Sequence, residues 1–176
     1  TGGMGEIYLA EEMPLGRQVV IKTIRPEAIK YPNSEEARKV ISLFWREATA
    51  IAKLNHPNIL PLYKFGGATI ATNSLMYMVM PYCQEKSLAD WMYVHSKTIL
   101  SPQEVDIILK SISEALQYAH DQGIIHLDVK PSNFLIRNKT DDVSKLDLQL
   151  VDFGVAKFAV ASGMSQTIRG SLEYML

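Results

Sequence analysis

The chain has 176 residues, 47% of them hydrophobic, and a formal net charge of −1. That composition can bury a core, and near-neutral charge gives no electrostatic case for nucleic acid as the main partner. The single cysteine, Cys83, excludes an internal disulfide framework and suits a reducing compartment. No run of about 18 apolar residues that could span a bilayer is present, nor a charged-then-apolar leader. The chain starts in a glycine cluster at Thr1-Gly2-Gly3 and stops at Tyr174-Met175-Leu176 without a helix stop. Both ends are therefore expected to cut through structure, and the sequence to be a fragment.

The first half reads as strands with one long helix. Glu6 to Ala10 and Gln18 to Lys22 are β-prone runs joined by Pro14-Leu15-Gly16, a hairpin turn. Ser34 to Leu54 has helical spacing, with Ser34 as cap, Glu35 and Glu36 in the first turn, and Val40, Leu43, Phe44, Ala48 and Ile51 recurring on one face. Pro57 is expected to end it. Ile59 to Phe65 and Leu75 to Met80 read as two further strands. From Ser87 the pattern turns helical, with a short helix to His95 and a longer one opened by the capping box Ser101-Pro102-Gln103-Glu104. The longer helix carries Val105, Ile108, Leu109, Ile112, Leu116 and Ala119 on one face and is expected to end near Gly123. Short apolar runs follow at Ile124-Ile125, Phe134 to Ile136 and Leu148 to Val151. A β-rich half before a helical half implies two lobes, with a hinge near Pro81 to Glu85.

Several residues carry chemistry. Gly2-Gly3-Met4-Gly5 before a strand could bring backbone N–H groups to phosphate oxygens, although alone it reads as a hairpin turn. Lys22 ends an apolar strand and, if it points inward, needs an anion; Glu47 is its natural partner. Taken singly, Lys22 reads as a strand-end lysine reaching water and Glu47 as part of a solvated helix face. The cluster from His126 to Asn133 changes that balance. Asp128, Lys130 and Asn133 lie in one loop, and Asp152-Phe153-Gly154 follows a strand pair. A carboxylate beside a hydroxyl can orient it and take its proton, while an Asn oxygen and a second carboxylate can hold Mg²⁺.

With these residues in place, the chain resembles the eukaryotic-like protein kinases, and its wording is most similar to their bacterial, Hanks-type members. The resemblance runs in order through Gly2-Gly3-Met4-Gly5-Glu6-Ile7, Val19-Val20-Ile21-Lys22, Glu47, His126-Leu127-Asp128 to Asn133, Asp152-Phe153-Gly154 and Gly170 to Met175. It implies an α+β, bilobal protein-kinase-like fold with an N-lobe at 1–80, a hinge at 81–86 and an incomplete C-lobe at 87–176. It also implies ATP- and Mg²⁺-dependent phosphorylation of Ser or Thr on protein substrates. Lys22 would then hold the α- and β-phosphates and pair with Glu47. Asp128 would act as base, Lys130 would contact the transferred phosphate, and Asn133 and Asp152 would bind Mg²⁺. Gly2, Gly3 and Gly5 would cover the phosphates. Met80 takes the gatekeeper place, Pro81 offers a carbonyl and Cys83 an N–H to the adenine edge, and Ile7, Val20 and Leu135 sandwich the ring. Ser171 resembles the residue that bonds back to Asp128 and Lys130. Ile51, Leu62, His126 and Phe153 resemble the stacked residues that link the lobes, and His126 reads as buried and structural.

The departures matter. Leu127 replaces the usual Arg, which weakens the case for control by phosphorylation at Ser162, Ser165 or Thr167. Val20 replaces a smaller alanine, and Pro81 an acidic residue. The family's Ala-Pro-Glu motif and the later helices that support its catalytic loop are not in this sequence, so the helix from Ser101 is expected to expose apolar surface. These residues alone are expected to be poorly stable and weakly active or inactive. Two alternatives remain beside the kinase. A nucleotide-binding pseudokinase or regulatory module usually loses the equivalents of Lys22, Asp128 or Asp152, all kept here; against a small-molecule phosphotransferase stand Lys130 and the Gly170-Ser171 segment. The expected location is cytoplasmic, including the cytoplasmic part of a membrane protein.

Overall fold

The computed structural model describes residues 6–23, 35–70 and 73–153. The chain divides into two compact units, Thr1–Lys53 with Pro61–Tyr82, and Leu54–Leu60 with Cys83–Leu176.

The first unit is a four-stranded antiparallel sheet and one helix. The strands are β1 (Ile7–Glu12), β2 (Arg17–Thr23), β3 (Lys64–Ile70) and β4 (Asn73–Pro81), in the order β1-β2-β4-β3. Gly16, at φ 64°, closes the β1–β2 turn in the left-handed region, and its N–H donates to the Glu12 carbonyl at 2.9 Å. Helix α1 (Glu35–Ile51) lays Phe44 and Ala48 on Met76 and Met78 of β4, with Ile41, Leu62, Phe65 and Met80 packed around them. The two methionines point the same way because strand side chains alternate. Burying side chains of this size contributes about 1.5–3 kcal/mol each.

Two expected boundaries shift. Helix α1 stops at Ile51, short of Leu54 and well before Pro57, because its last turn tightens: Lys53 N–H donates to Ala50 O at 3.1 Å. Ser34 lies outside the described residues. Ile59 to Phe65 is not one strand, since β3 starts only at Lys64. Ile59 and Leu60 are buried elsewhere, in the second unit, where Ile59 bridges Leu150 in parallel.

The second unit begins with helix α2 (Leu88–Val94), capped by a reciprocal box between Ser87 and Asp90. Helix α3 (Pro102–Asp121) has the same device: Glu104 N–H donates to Ser101 Oγ at 3.3 Å and Ser101 N–H to Glu104 Oε2 at 2.7 Å. Ser101→Ala is expected to cost about 1 kcal/mol, read as a lower urea midpoint with an unchanged slope. The fully buried residues of α3 are Ile108, Ala115 and Ala119, while Val105 and Leu109 are exposed, Leu109 at 56%. The buried stripe is thus rotated from the expected face, and apolar side chains do stand exposed on this helix. Gly123, at φ 73°, ends the helix: its N–H donates to His120 O at 2.8 Å, and Ile124 N–H to Ala119 O at 2.9 Å. This is the paired closure that a left-handed residue permits, and it turns the chain into the loop from Ile124 to Lys130.

Strands β5 (Phe134–Ile136) and β6 (Leu148–Leu150) pair antiparallel, Leu135 opposite Gln149. All three β6 residues are buried. Residues 83–87 reach β5 through Ile136 N–H, which donates to Lys86 O at 3.1 Å, and through a bridge from Ser87 to Leu135.

Candidate active site

In the first unit, register places Ile7, Lys22 and Met78 side by side, and likewise Leu9, Val20 and Met80. Alternation puts all six on the sheet face that α1 covers. Lys22 therefore sits on the packed face, and Glu47 shares the apolar stripe of Phe44, Ala48 and Ile51 on α1. Lys22 Nζ lies 3.8 Å from Glu47 Oε1, and Glu47 is only 8% exposed. The solvated-face alternative for Glu47 is excluded by that burial. Pro81 closes β4 opposite Val19.

In the second unit, Asp128, Lys130 and Asn133 converge. The turn Pro131–Asn133 is a single 3-10 turn, its Asn133 N–H donating to Lys130 O at 2.9 Å. It buries Asn133, whose Nδ2 donates to the Asp128 carbonyl at 2.7 Å and to Asp128 Oδ2 at 3.0 Å. Lys130 Nζ reaches the same carboxylate oxygen at 2.8 Å. One oxygen of Asp128 thus receives a cation and an amide, which fixes the carboxylate's orientation. With Nδ2 spent on Asp128, Asn133 keeps its amide oxygen for a hard cation.

Asp152 follows directly. Val151 N–H donates to Asn133 O at 2.9 Å, so backbone pairing brings the residue after Val151 beside Asn133. Asp152 has φ 53°, and Leu127, just before Asp128, has φ 63°. Both sit in the left-handed region, costly for leucine and milder for aspartate, so the surrounding bonds must hold them there.

His126 supplies such a bond. Its Nε2 lies 2.9 Å from the Val151 carbonyl, and Asp128 N–H lies 3.3 Å from its Nδ1. A carbonyl only accepts and an N–H only donates, so the ring is neutral with its proton on Nε2. His126 is 1% exposed and packs on Phe153, ring centroids 4.9 Å apart. Burial holds its pKa below the ordinary 6.5, against the pull of the Val151 carbonyl, Asp128 and Asp152. The neutral ring stabilises the fold in full above pH 6.5. As pH falls below that value the unfolded chain takes up a proton that folded His126 resists, and stability is lost. The unfolding free energy from urea titrations is expected to drop as pH falls below 6.5, by at most about 1.4 kcal/mol per pH unit from this group. A His126→Gln variant should lose that part of the slope.

Cys83 is half-buried, and burial pushes its thiol up, with Arg137 opposing, which favours the unreactive protonated form. Gly2, Gly3 and Gly5 lie outside the described residues, as do Gly154, Ser162, Ser165, Thr167 and the Gly170 to Met175 segment with Ser171.

Two residues of this region carried no signal strong enough to single them out. Gln149 is 1% exposed in the middle of β6, and Asn58 lies in the segment paired with that strand. Only the polar break in the run Leu148 to Val151 hinted at the first.

The fold and these loops are those of a protein kinase domain, and the chain belongs to the protein kinase domain family, which matches residues 1–176. It is 35% identical over 178 residues to a probable serine/threonine-protein kinase of Streptomyces coelicolor, covering 99% of this chain and 24% of that protein. Serine/threonine-protein kinase PknB of Mycobacterium leprae is 34% identical, with 99% of this chain and 26% of that protein covered. The chain therefore spans about a quarter of the length of these relatives. The crystal structure of the Mycobacterium tuberculosis PknI kinase domain superposes with a TM-score of 0.64 at 27% identity, over 89% of this chain and 57% of that one.

Proposed function

We propose that the protein transfers the γ-phosphate of ATP to Ser or Thr hydroxyls of protein substrates. The observation that carries this is the convergence of Lys130 and Asn133 on one carboxylate oxygen of Asp128, with Val151, the residue before Asp152, paired to Asn133. The named relatives being serine/threonine-protein kinases supports it.

Asp128 orients the substrate hydroxyl and accepts its proton at a carboxylate oxygen. Lys130, within reach of that carboxylate, offers its ammonium to the transferred phosphoryl oxygens. Asn133 and Asp152 hold Mg²⁺: an amide oxygen and a carboxylate are the hard donors that ion takes, and two protein ligands suit a metal that keeps water and phosphate in its shell. When bound, the ion offsets the charge that develops on the phosphates. Lys22, kept in place by Glu47, holds the α- and β-phosphates. Gly2, Gly3 and Gly5 cover the phosphates, and Ile7, Val20 and Leu135 enclose the adenine. Met80 lines its inner edge, with the Pro81 carbonyl and the Cys83 N–H at the polar edge. The protein works in the cytoplasm, on protein rather than nucleic acid. Among the described residues no helix is long and apolar enough to cross a membrane.

Labelled ATP and a generic protein substrate, with the full-length protein, test the proposal. Phosphate on serine or threonine is the expected product. Tight nucleotide binding without transfer would instead favour a regulatory pseudokinase.

A further inference from the structure

We infer that Asn58 and Gln149 form a reciprocal amide clasp that positions the Asp152 carboxylate, an inference that rests on the kinase reading above. Each side chain reaches the other strand's backbone: Asn58 Nδ2 donates to Leu148 O at 3.0 Å, and Gln149 Nε2 donates to Pro57 O at 2.6 Å. Between them run two backbone bonds, Leu150 N–H to Asn58 O at 2.8 Å and Leu60 N–H to Leu150 O at 3.0 Å.

The orientation of the Gln149 amide follows from its neighbours. Its Nε2 also donates to Asp147 Oδ1 at 2.7 Å, so both groups it faces, Pro57 O and Asp147 Oδ1, are acceptors. A flipped amide would set oxygen against oxygen twice. Its Oε1 is buried with no partner among the described residues. The site thus uses Gln149 only as a donor, and tolerates an orphaned acceptor to obtain it.

Such an arrangement suits a register lock. Leu148, Gln149 and Leu150 are all buried, so the face pattern of β6 resists a slip only weakly. A one-residue slip against residues 57–60 would shift Val151 away from Asn133 and His126, the bonds that hold Asp152 at its positive φ. The clasp forbids that slip, because its two side-chain bonds fit only one register. Asn58 and Gln149 are therefore positioning residues, acting on the metal ligand through Leu150 and Val151.

The test uses the full-length protein with Mn²⁺ as a paramagnetic probe and a non-hydrolysable ATP analogue, binding being followed by electron paramagnetic resonance. Gln149→Glu keeps the shape and removes both donors; it is expected to weaken Mn²⁺ by about tenfold, the lower end for residues that support a ligand. It should lower kcat and raise the Mg²⁺ requirement, with KM for the protein substrate unchanged. Gln149→Lys, a donor without an acceptor, is expected to bind Mn²⁺ as the native protein does. Unaltered Mn²⁺ affinity in Gln149→Glu would overturn the inference, even with a lowered melting temperature. If Gln149→Glu does not fold, Asn58→Ala carries the test with the same two outcomes; failure of both to fold would make the clasp a folding element and also overturn the inference. Native Mn²⁺ binding that ignores Asp152→Asn would count against the kinase reading itself, whereas binding that depends on Asp152 but ignores the clasp counts against this inference alone.

Discussion

Phosphate transfer by an Asp128→Asn variant is expected to fall by about 10²–10⁴-fold, the usual contribution of a positioned general base. The substitution keeps the shape of the side chain. Its amide oxygen can still receive Lys130 Nζ and Asn133 Nδ2, which reach Asp128 Oδ2 at 2.8 and 3.0 Å in the native protein. What it loses is the charge and the capacity to take a proton. The Lys130–Asp128 pair is partly exposed on both sides, so its loss should cost at most about 1 kcal/mol of stability. The effect on catalysis is several times larger than the effect on folding, and the two are separable. kcat and kcat/KM should fall together with KM for ATP unchanged, the pattern of an interaction made in the transition state. A variant with native kcat and a native melting curve would remove Asp128 from the role of base.

The residues that carry chemistry were legible because they are close in sequence. Asp128, Lys130 and Asn133 lie within one loop, and that loop's short-range bonds place them together. Lys22 and Glu47 were legible as a candidate pair, but each alone reads as an ordinary surface residue, and it was the family resemblance that favoured the pair. Local signals also gave the capping box at Ser101 and the turn at Gly16, because a cap or a turn is decided within four residues. The segment from Leu54 to Leu60 was misread for the opposite reason. Ile59 and Leu60 look like the start of a strand, but their partner is Leu150, far along the chain, and the Gln149 to Pro57 bond spans 92 residues. No window of sequence contains both ends of that contact. The stripe on α3 was partly misplaced for a related reason: Ile108 and Ala119 of the expected face are buried, but so is Ala115, and a lone alanine contributes little to an apolar pattern.

Asp152→Asn is expected to weaken Mg²⁺ binding by more than the roughly 10–100-fold that loss of an outer supporting residue costs, because a ligand itself is changed. A neutral amide oxygen replaces a charged one at a position proposed to face both metal and phosphates. The choice of Asn matters for a backbone reason. Asp152 holds φ 53°, a conformation that Asn adopts more readily than any other residue except glycine. Asp152→Asn should therefore melt close to the native protein, while Asp152→Ala adds strain of about 1 kcal/mol. The pair of variants divides the two roles of this residue. If metal affinity follows charge alone, Asn and Ala weaken it alike; if an oxygen donor or the backbone geometry also counts, Ala is the worse of the two. Isothermal titration with Mg²⁺ and a non-hydrolysable nucleotide, alongside melting curves, reads both quantities. Native Mg²⁺ affinity in Asp152→Asn would exclude that carboxylate as the metal's anchor and leave Asn133 without its partner ligand.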